Sequence, residues 1–318
     1  MRIVVLYLLS AFTLAGNVQA REMGHYAPGV ANIRDLAVPA QPGLYFVQYN
    51  TYYEADTYRD VRGDNVKTLP GPLGIRLDTK VNLLAVTPVF VWSTDINVLG
   101  ANYAFYIAPS ASTTSLAAKL DGLENSFKAD TEASGLGDTL IQPLWLGWRD
   151  THYDIALGTG VYLPTGKYDA GDNDNVGLGF YTGQVQLSSY YYLDDTQASA
   201  FMLTATYETH SEKDGTDVTP GDHLTLEYGF SQYLTDRLEV GIAGFSQWQV
   251  GRDSRPAGPL ELDPDAKGEV RALGAQVAYW LTPRLNFSLK YMKETHAKGR
   301  FEGDWLSFNL TFTPLPMF

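Results

Sequence analysis

Cysteine is absent from the 318 residues, which removes thiol catalysis, disulfide cross-links and thiolate metal ligands. Positive charge is also scarce, because 23 Lys and Arg residues stand against 36 Asp and Glu residues and leave a formal net charge of −13. Nucleic-acid binding depends on basic side chains that neutralise phosphates. We therefore expect no nucleic-acid partner.

Long hydrophobic runs are missing after residue 20, where no stretch approaches the roughly 18 apolar residues that a membrane-spanning helix needs. The first residues have the pattern of an export signal. Arg2 precedes a largely apolar run from Ile3 to Leu14, and Val18-Gln19-Ala20 forms a small-residue cleavage site. We expect residues 1–20 to be a cleaved signal peptide, so the mature chain is periplasmic, secreted or in the outer membrane.

Aromatic residues and glycine are plentiful, with 21 Tyr, 14 Phe, 6 Trp and 30 Gly. Many of the aromatic residues lie in segments where apolar and polar side chains alternate, most clearly from Leu306 to Phe312, from Leu285 to Met292 and from Phe201 to Glu208. A period of two is typical of β-strands with one apolar and one polar face. The pattern predicts an all-β chain.

Loop lengths distinguish a membrane barrel from a soluble sandwich. Short turns near residues 194–196, 234–237 and 281–284 alternate with long polar loops near 165–176, 209–222, 250–269 and 295–304, which places all long loops at one end. Outer-membrane barrels have this arrangement, with an even strand number and both termini in the periplasm. We predict an antiparallel up-and-down transmembrane barrel of about twelve strands, at residues 43–54, 75–92, 97–109, 136–149, 152–163, 177–192, 197–208, 223–234, 237–250, 269–281, 285–294 and 304–313.

The segment before the first strand contains Pro28, Pro39 and Pro42 and does not read as a strand. In a wide barrel such a segment can fold into the lumen as a plug, and the alternative is a disordered lead. We divide the chain into a signal peptide at 1–20, a plug or lead segment at 21–42 and a transmembrane barrel at 43–318.

The polar faces of the predicted strands carry charges of both signs. The candidate lumen-lining residues are Arg76, Asp78, Lys80, Glu208, Glu227, Glu239, Arg271 and Lys290. Such charges either shape a polar constriction or only fill the interior and satisfy one another, since buried charges are costly unless they are paired.

Residues 112–134 have apolar side chains near helical spacing, with charged residues between them. This pattern predicts an amphipathic loop helix that covers the barrel mouth. Its apolar face either binds a ligand or packs on the barrel rim. The candidate ligand-access residues are Leu116, Leu120, Leu123 and Phe127.

Several short motifs occur in a characteristic order along the chain. They are Gly24-His25-Tyr26-Ala27-Pro28-Gly29, Gly135-Leu136-Gly137-Asp138, Pro143, Leu146-Gly147-Trp148, Leu163-Pro164-Thr165-Gly166 and Tyr168-Asp169. In this order they resemble the outer-membrane family named for the meta-cleavage pathway of phenol degradation. The resemblance covers the mature chain and implies a barrel distantly similar to the long-chain fatty-acid transporters, although the predicted strand number is smaller than theirs.

The resemblance implies an outer-membrane channel that takes up small hydrophobic, and more specifically aromatic, compounds. A structural or adhesive barrel without transport is the main alternative. An outer-membrane hydrolase is a weaker one, because no Gly-x-Ser-x-Gly motif occurs and no Ser is persuasively spaced from a His. We expect a chain that is not an enzyme, without cofactor or metal, since its acidic loops are more typical of solvated loops than of calcium sites. The expected partners are outer-membrane lipid and lipopolysaccharide, the solute and the barrel-assembly machinery.

Overall fold

A computed structural model describes residues 23–68, 74–122, 126–172, 174–254 and 267–314. The predicted signal peptide at 1–20 lies outside these residues. Within them the chain forms fourteen strands. They are β1 (Gly43–Arg59), β2 (Arg76–Val98), β3 (Ala101–Ala108), β4 (Ala111–Asp121), β5 (Phe127–Leu136), β6 (Thr139–Arg149), β7 (Tyr153–Leu163), β8 (Thr182–Tyr192), β9 (Ser199–His210), β10 (His223–Tyr233), β11 (Leu238–Gln249), β12 (Glu269–Thr282), β13 (Leu285–Lys298) and β14 (Arg300–Phe312).

The strands close into a barrel, because β1 pairs with both β14 and β2. Each strand in the described part of the chain runs antiparallel to its neighbours, and twelve of the fourteen complete the ring. The other two, β4 and β5, form a hairpin that extends from the long strand β2. The predicted antiparallel barrel of about twelve strands is therefore confirmed.

The β4–β5 hairpin replaces the loop helix predicted for residues 112–134, and that prediction is wrong. Strand β2 is 23 residues long; its second half pairs with β3, and its first half offers a free edge that β4 occupies from Ala111 to Asp121. The residues Ser112, Thr113, Thr114 and Ser115 are poor helix formers, so the apolar spacing carried little helical preference. A helix at these residues would leave the backbone groups along the first half of β2 unpaired, whereas β4 pairs with them, and this favours the strand.

Exposure alternates along the strands as lipid-facing barrels require. Leu273, Val277, Leu289 and Phe308 are exposed on the outer surface, whereas Asn309 is buried on the inner one. The buried polar residues of β8 to β14 accordingly face the lumen, and the exposed apolar residues form an outer belt.

Two kinds of connection separate the ends of the barrel. Tight turns such as 283–284 define a short-turn end, and the connections 164–181 and 211–222 lie at the opposite, long-loop end. One predicted long loop is absent, because β13 and β14 continue to Lys298 and Arg300 and are joined by Gly299 at φ 65°. No helix in the described ranges is long and apolar enough to cross a membrane.

Candidate functional site in the barrel lumen

The N-terminal segment, residues 23–42, lies inside the barrel and is held there by side chains of the wall. Glu208 on β9 accepts a hydrogen bond from the backbone N–H of Tyr26 at 2.8 Å. Glu227 on β10 accepts from the N–H of Gly29 at 2.7 Å and from the hydroxyl of Tyr26. Both carboxyl groups are buried, so these hydrogen bonds are shielded from competing water. They fix the first part of the segment against β9 and β10.

The middle of the segment contacts the opposite wall. The ammonium of Lys290 on β13 donates to the carbonyl of Ala31, and the amide of Asn309 on β14 donates to Asn32 Oδ1 at 2.9 Å. Ile33 is only 1% exposed and packs in an apolar cluster of the lumen with Phe245. Polar and apolar contacts therefore both fill the centre of the barrel with this segment.

Arg34 anchors the segment at the short-turn end. Its guanidinium donates to Glu239 at 2.8 Å and to the carbonyls of Gln197 and Ala198 at 2.8 and 2.9 Å. The guanidinium carbon also lies 4.9 Å from the ring centroid of Tyr233, a cation–π contact. Arg34 thereby ties the segment to the β8–β9 turn and to β11.

Three histidines form a continuous hydrogen-bonded chain at the long-loop side of the lumen. His25 Nε2 lies 2.9 Å from Asp138 Oδ2, and His25 Nδ1 lies 2.6 Å from Thr182 Oγ1. Thr182 Oγ1 is 2.7 Å from His210 Nδ1, and His210 Nε2 is 3.1 Å from His223 Nδ1. Neutral imidazoles satisfy every link when all donors point the same way along the chain. His223 then donates to His210, His210 to Thr182, Thr182 to His25, and His25 to Asp138.

Asp138 is held in the short link between β5 and β6. The N–H groups of Gly166 and Leu178 donate to it at 2.9 and 2.7 Å, so both ends of the 164–181 loop converge on one carboxylate. Burial raises the pKa of Asp138, but the hydrogen bonds from His25 and these two amides outweigh it and hold the pKa below its usual range. The carboxylate therefore remains an acceptor at neutral pH.

Glycines explain why the loop can approach so closely. A Cβ on Gly166 would lie 2.7 Å from Gly177 Cα and 2.8 Å from the carbonyl carbon of Gly137. Backbone atoms cannot give way as a flexible side chain can, and only glycine fits. Gly166 thus allows the 164–181 loop to lie against the link that carries Asp138.

Little space remains in the described part of the lumen. Two cavities measure about 20 Å³ and 10 Å³; the larger is lined by Met23, His223 and Gln249 among others, and the smaller by Val38, Trp148 and Arg149. Each is about the volume of one water molecule. Both cavities border the N-terminal segment, one at Met23 and the other at Val38.

The predicted lumen residues divide into two groups. Glu208, Glu227, Glu239 and Lys290 lie inside the barrel and contact the N-terminal segment. Arg76, Asp78, Lys80 and Arg271 are exposed on the outer face, so the prediction that they line the lumen is wrong. They share the alternation of outward residues such as Leu84 and Leu273, but they lie toward the long-loop end, where the outer surface is no longer apolar. Their polarity therefore indicates that they lie near the long-loop end of the barrel, and not that they face the lumen.

The predicted ligand-access residues lie on the hairpin. Leu116 pairs with Val81, which in turn pairs with the buried Ala55 of β1, so Leu116 belongs to the inner face and is 37% exposed there. Leu120 is on the same face and is buried. Leu123 lies outside the described residues, and the same holds for the side chain of Phe127, whose backbone opens β5. The hairpin therefore presents apolar side chains toward the inside of the mouth.

Sequence reasoning missed the histidine chain and Arg34. The available signal was the position of His210 and His223 in strands, on the same alternating faces as Glu208 and Glu227. The partners Asp138 and His25 are 113 residues apart, and only the closed barrel brings them together.

The chain matches the model of the family described as "Putative MetA-pathway of phenol degradation" over residues 55–310. This match spans most of the chain. The protein belongs to this family. The resemblance inferred from the ordered Gly-rich motifs is confirmed, and these motifs include Gly137, Asp138 and Gly166, which join the 164–181 loop to the barrel.

A solved outer-membrane channel has the same fold as this chain. An outer-membrane channel from Pseudomonas putida F1 superimposes with a TM-score of 0.68 at 12% identity, covering 89% of this chain and 99% of the channel. A Pseudomonas aeruginosa FadL homologue gives a TM-score of 0.40 at 12% identity, covering 88% and 91% of the two chains. No curated protein sequence matches this chain.

Proposed function

We propose that this protein is an outer-membrane channel for small hydrophobic, more specifically aromatic, compounds. The main observation in support of this proposal is the amphipathic β4–β5 hairpin. Its inner face holds Leu116, Leu120 and Ala133, whereas its outer face holds Lys119 and Glu132. An apolar surface at the mouth of a membrane barrel suits a solute that avoids water. Family membership and the channel fold support this function.

We propose outer-membrane lipid and lipopolysaccharide as partners of the barrel because of the residues on its outer surface. The outer belt of exposed apolar side chains suits the hydrocarbon of the outer membrane, and the charged outward residues toward the long-loop end suit lipopolysaccharide head groups. Export by a cleaved signal peptide and insertion by the barrel-assembly machinery complete the proposed route. We further propose that residues 23–42 act as a plug whose displacement opens the channel.

An enzymatic role is not favoured by the buried polar groups. Asp138, His25 and Thr182 have the composition of a nucleophilic triad. However, Thr182 is fully buried and its hydroxyl contacts His25 and His210 at once, so no substrate carbonyl can approach it. The arrangement fits a structural or binding role.

The filled lumen favours a second candidate, a barrel that is structural or adhesive and does not transport. Uptake of a radiolabelled monoaromatic compound separates the two functions if the liposomes carry an outer leaflet of lipopolysaccharide, which slows apolar solutes as a phospholipid bilayer does not. We expect protein-containing liposomes to take it up faster than protein-free ones, and Leu116→Ser to slow uptake. Ala117→Ser, which changes the adjacent outward residue, is the matched control. Uptake equal to that of protein-free liposomes would leave the structural barrel as the better description.

A further inference from the structure

The side chain of His25 lies in a recess, formed by the barrel and the 164–181 loop, that fits a flat aromatic ring. Its imidazole stacks on Tyr162 of β7, with ring centroids 4.8 Å apart and planes 19° apart. The edge of the ring contacts Phe180 of the 164–181 loop at 4.9 Å and 74°. The side chain of His25 is only 4% exposed, and Phe180 is also buried. Two aromatic surfaces that meet a flat ring in these geometries form a favourable site for an aromatic group.

The polar groups of the recess are fixed by the barrel and not by His25. Asp138 keeps its position through the amides of Gly166 and Leu178, and Thr182 keeps a hydrogen bond to His210. Without His25 the recess would still present one carboxylate acceptor and one hydroxyl next to an aromatic wall. Such a site accepts a ring that carries a hydrogen-bond donor.

Unpartnered polar atoms border the recess. Both side-chain amide atoms of Gln184 lack a hydrogen-bond partner, and so does Glu208 Oε2, among the described residues. Gln184 lies two positions after Thr182 on the same face of β8, and it pairs with Glu208 of the neighbouring strand β9. Both side chains are more than nine-tenths buried. Buried polar atoms without partners are costly, and a polar group of a ligand or water would satisfy them.

We propose that the recess formed by Tyr162, Phe180, Asp138 and Thr182 binds hydroxylated monoaromatic compounds, and that His25 is a tethered occupant which such a ring displaces. This inference rests on the proposed function and specifies its substrate class. A phenolic hydroxyl donates to Asp138 in place of His25 Nε2, while the ring stacks on Tyr162. A ring without a hydroxyl displaces the His25 donor without replacing it and leaves Asp138 with the two amides alone, so it binds more weakly.

The test measures binding of phenol to the purified full-length mature protein in detergent by isothermal titration calorimetry. His25→Ala removes the occupant and is expected to bind phenol at least tenfold more tightly than the wild type. His152→Ala is the matched control, because His152 is an exposed histidine that also faces a carboxylate, Asp195, at 3.2 Å. Toluene is expected to bind His25→Ala roughly 10- to 100-fold more weakly than phenol does, because it supplies no donor to Asp138 in place of His25 Nε2.

A second set of variants keeps the inference falsifiable. Adding Tyr162→Ala to His25→Ala should abolish phenol binding, with heat-modifiable migration on gels as the check that the barrel is folded. If His25→Ala does not fold, His25→Ser removes the ring and leaves a side chain too short to reach Asp138, and the same tighter binding is expected. Equal phenol affinity in the His25 and His152 variants, or equal affinity for phenol and toluene, overturns the inference.

The binding measurement tests the recess, and the uptake measurement tests the channel, so the two proposals can be refuted separately. Liposome uptake of phenol with no binding at the recess would refute the inference and leave the proposed channel intact. Binding at the recess with no uptake would support the site but refute the proposed function.

Discussion

The attachment of the N-terminal segment to Glu227 is open to a direct test. Glu227→Ala removes the acceptor of the Gly29 amide and of the Tyr26 hydroxyl at once. A hydrogen bond to a charged group contributes about 1.5–3 kcal/mol, so the two together contribute about 3–6 kcal/mol if they are additive. Release of the carboxylate from burial opposes this loss and favours the lower value. About 3 kcal/mol corresponds to a roughly 100-fold rise in the displaced population.

The absence of cysteine from the sequence makes this population measurable. A single Ile33→Cys change puts a thiol at a position that is 1% exposed while the segment is in the lumen. Its labelling rate reports how often the segment leaves, provided that reinsertion is faster than labelling. We expect labelling to be about 100-fold faster in Glu227→Ala, with higher single-channel conductance. Glu54→Ala, which changes an outward glutamate paired with Lys80, should leave both unchanged. Equal labelling rates in the two variants would show that Glu227 does not retain the segment.

Three further predictions concern the barrel and its connections. Phe308→Arg places a charge on the lipid face and should cost about 2–4 kcal/mol near the bilayer midplane. Asn309→Arg puts a charge and a larger side chain into the filled lumen, so both variants should show a smaller folded fraction by gel mobility. Gly166→Ala forces backbone away from Gly177 and should lower the urea midpoint, unlike Gly135→Ala, whose Cβ would make only an ordinary contact with Val176 at 3.7 Å. The pKa of Asp194 is lowered by the Thr196 hydroxyl and two amides, so the stability lost in Asp194→Asn should be constant above about pH 4 and disappear in stronger acid. A loss that persists at low pH would exclude the charge as its cause.

The sequence by itself determined the barrel. Alternation with period two, short turns at one end and long loops at the other depend only on local side-chain order, because each strand must separate lipid from lumen residue by residue. The segments around Leu289 and Phe308 show this, and the structure places them as the alternation predicts.

Tertiary structure decided what the local pattern left ambiguous. The polar face of β2 could be assigned to either side, and only the pairing with β1 shows that Lys80 points outward next to Glu54. The helical spacing of residues 112–134 was overridden by the free edge of β2, a partner that local spacing does not reveal. His25 and Asp138 meet only because the ring closes around the N-terminal segment. Contacts between residues far apart in the chain depend on closure and register, and these are properties of all strands together.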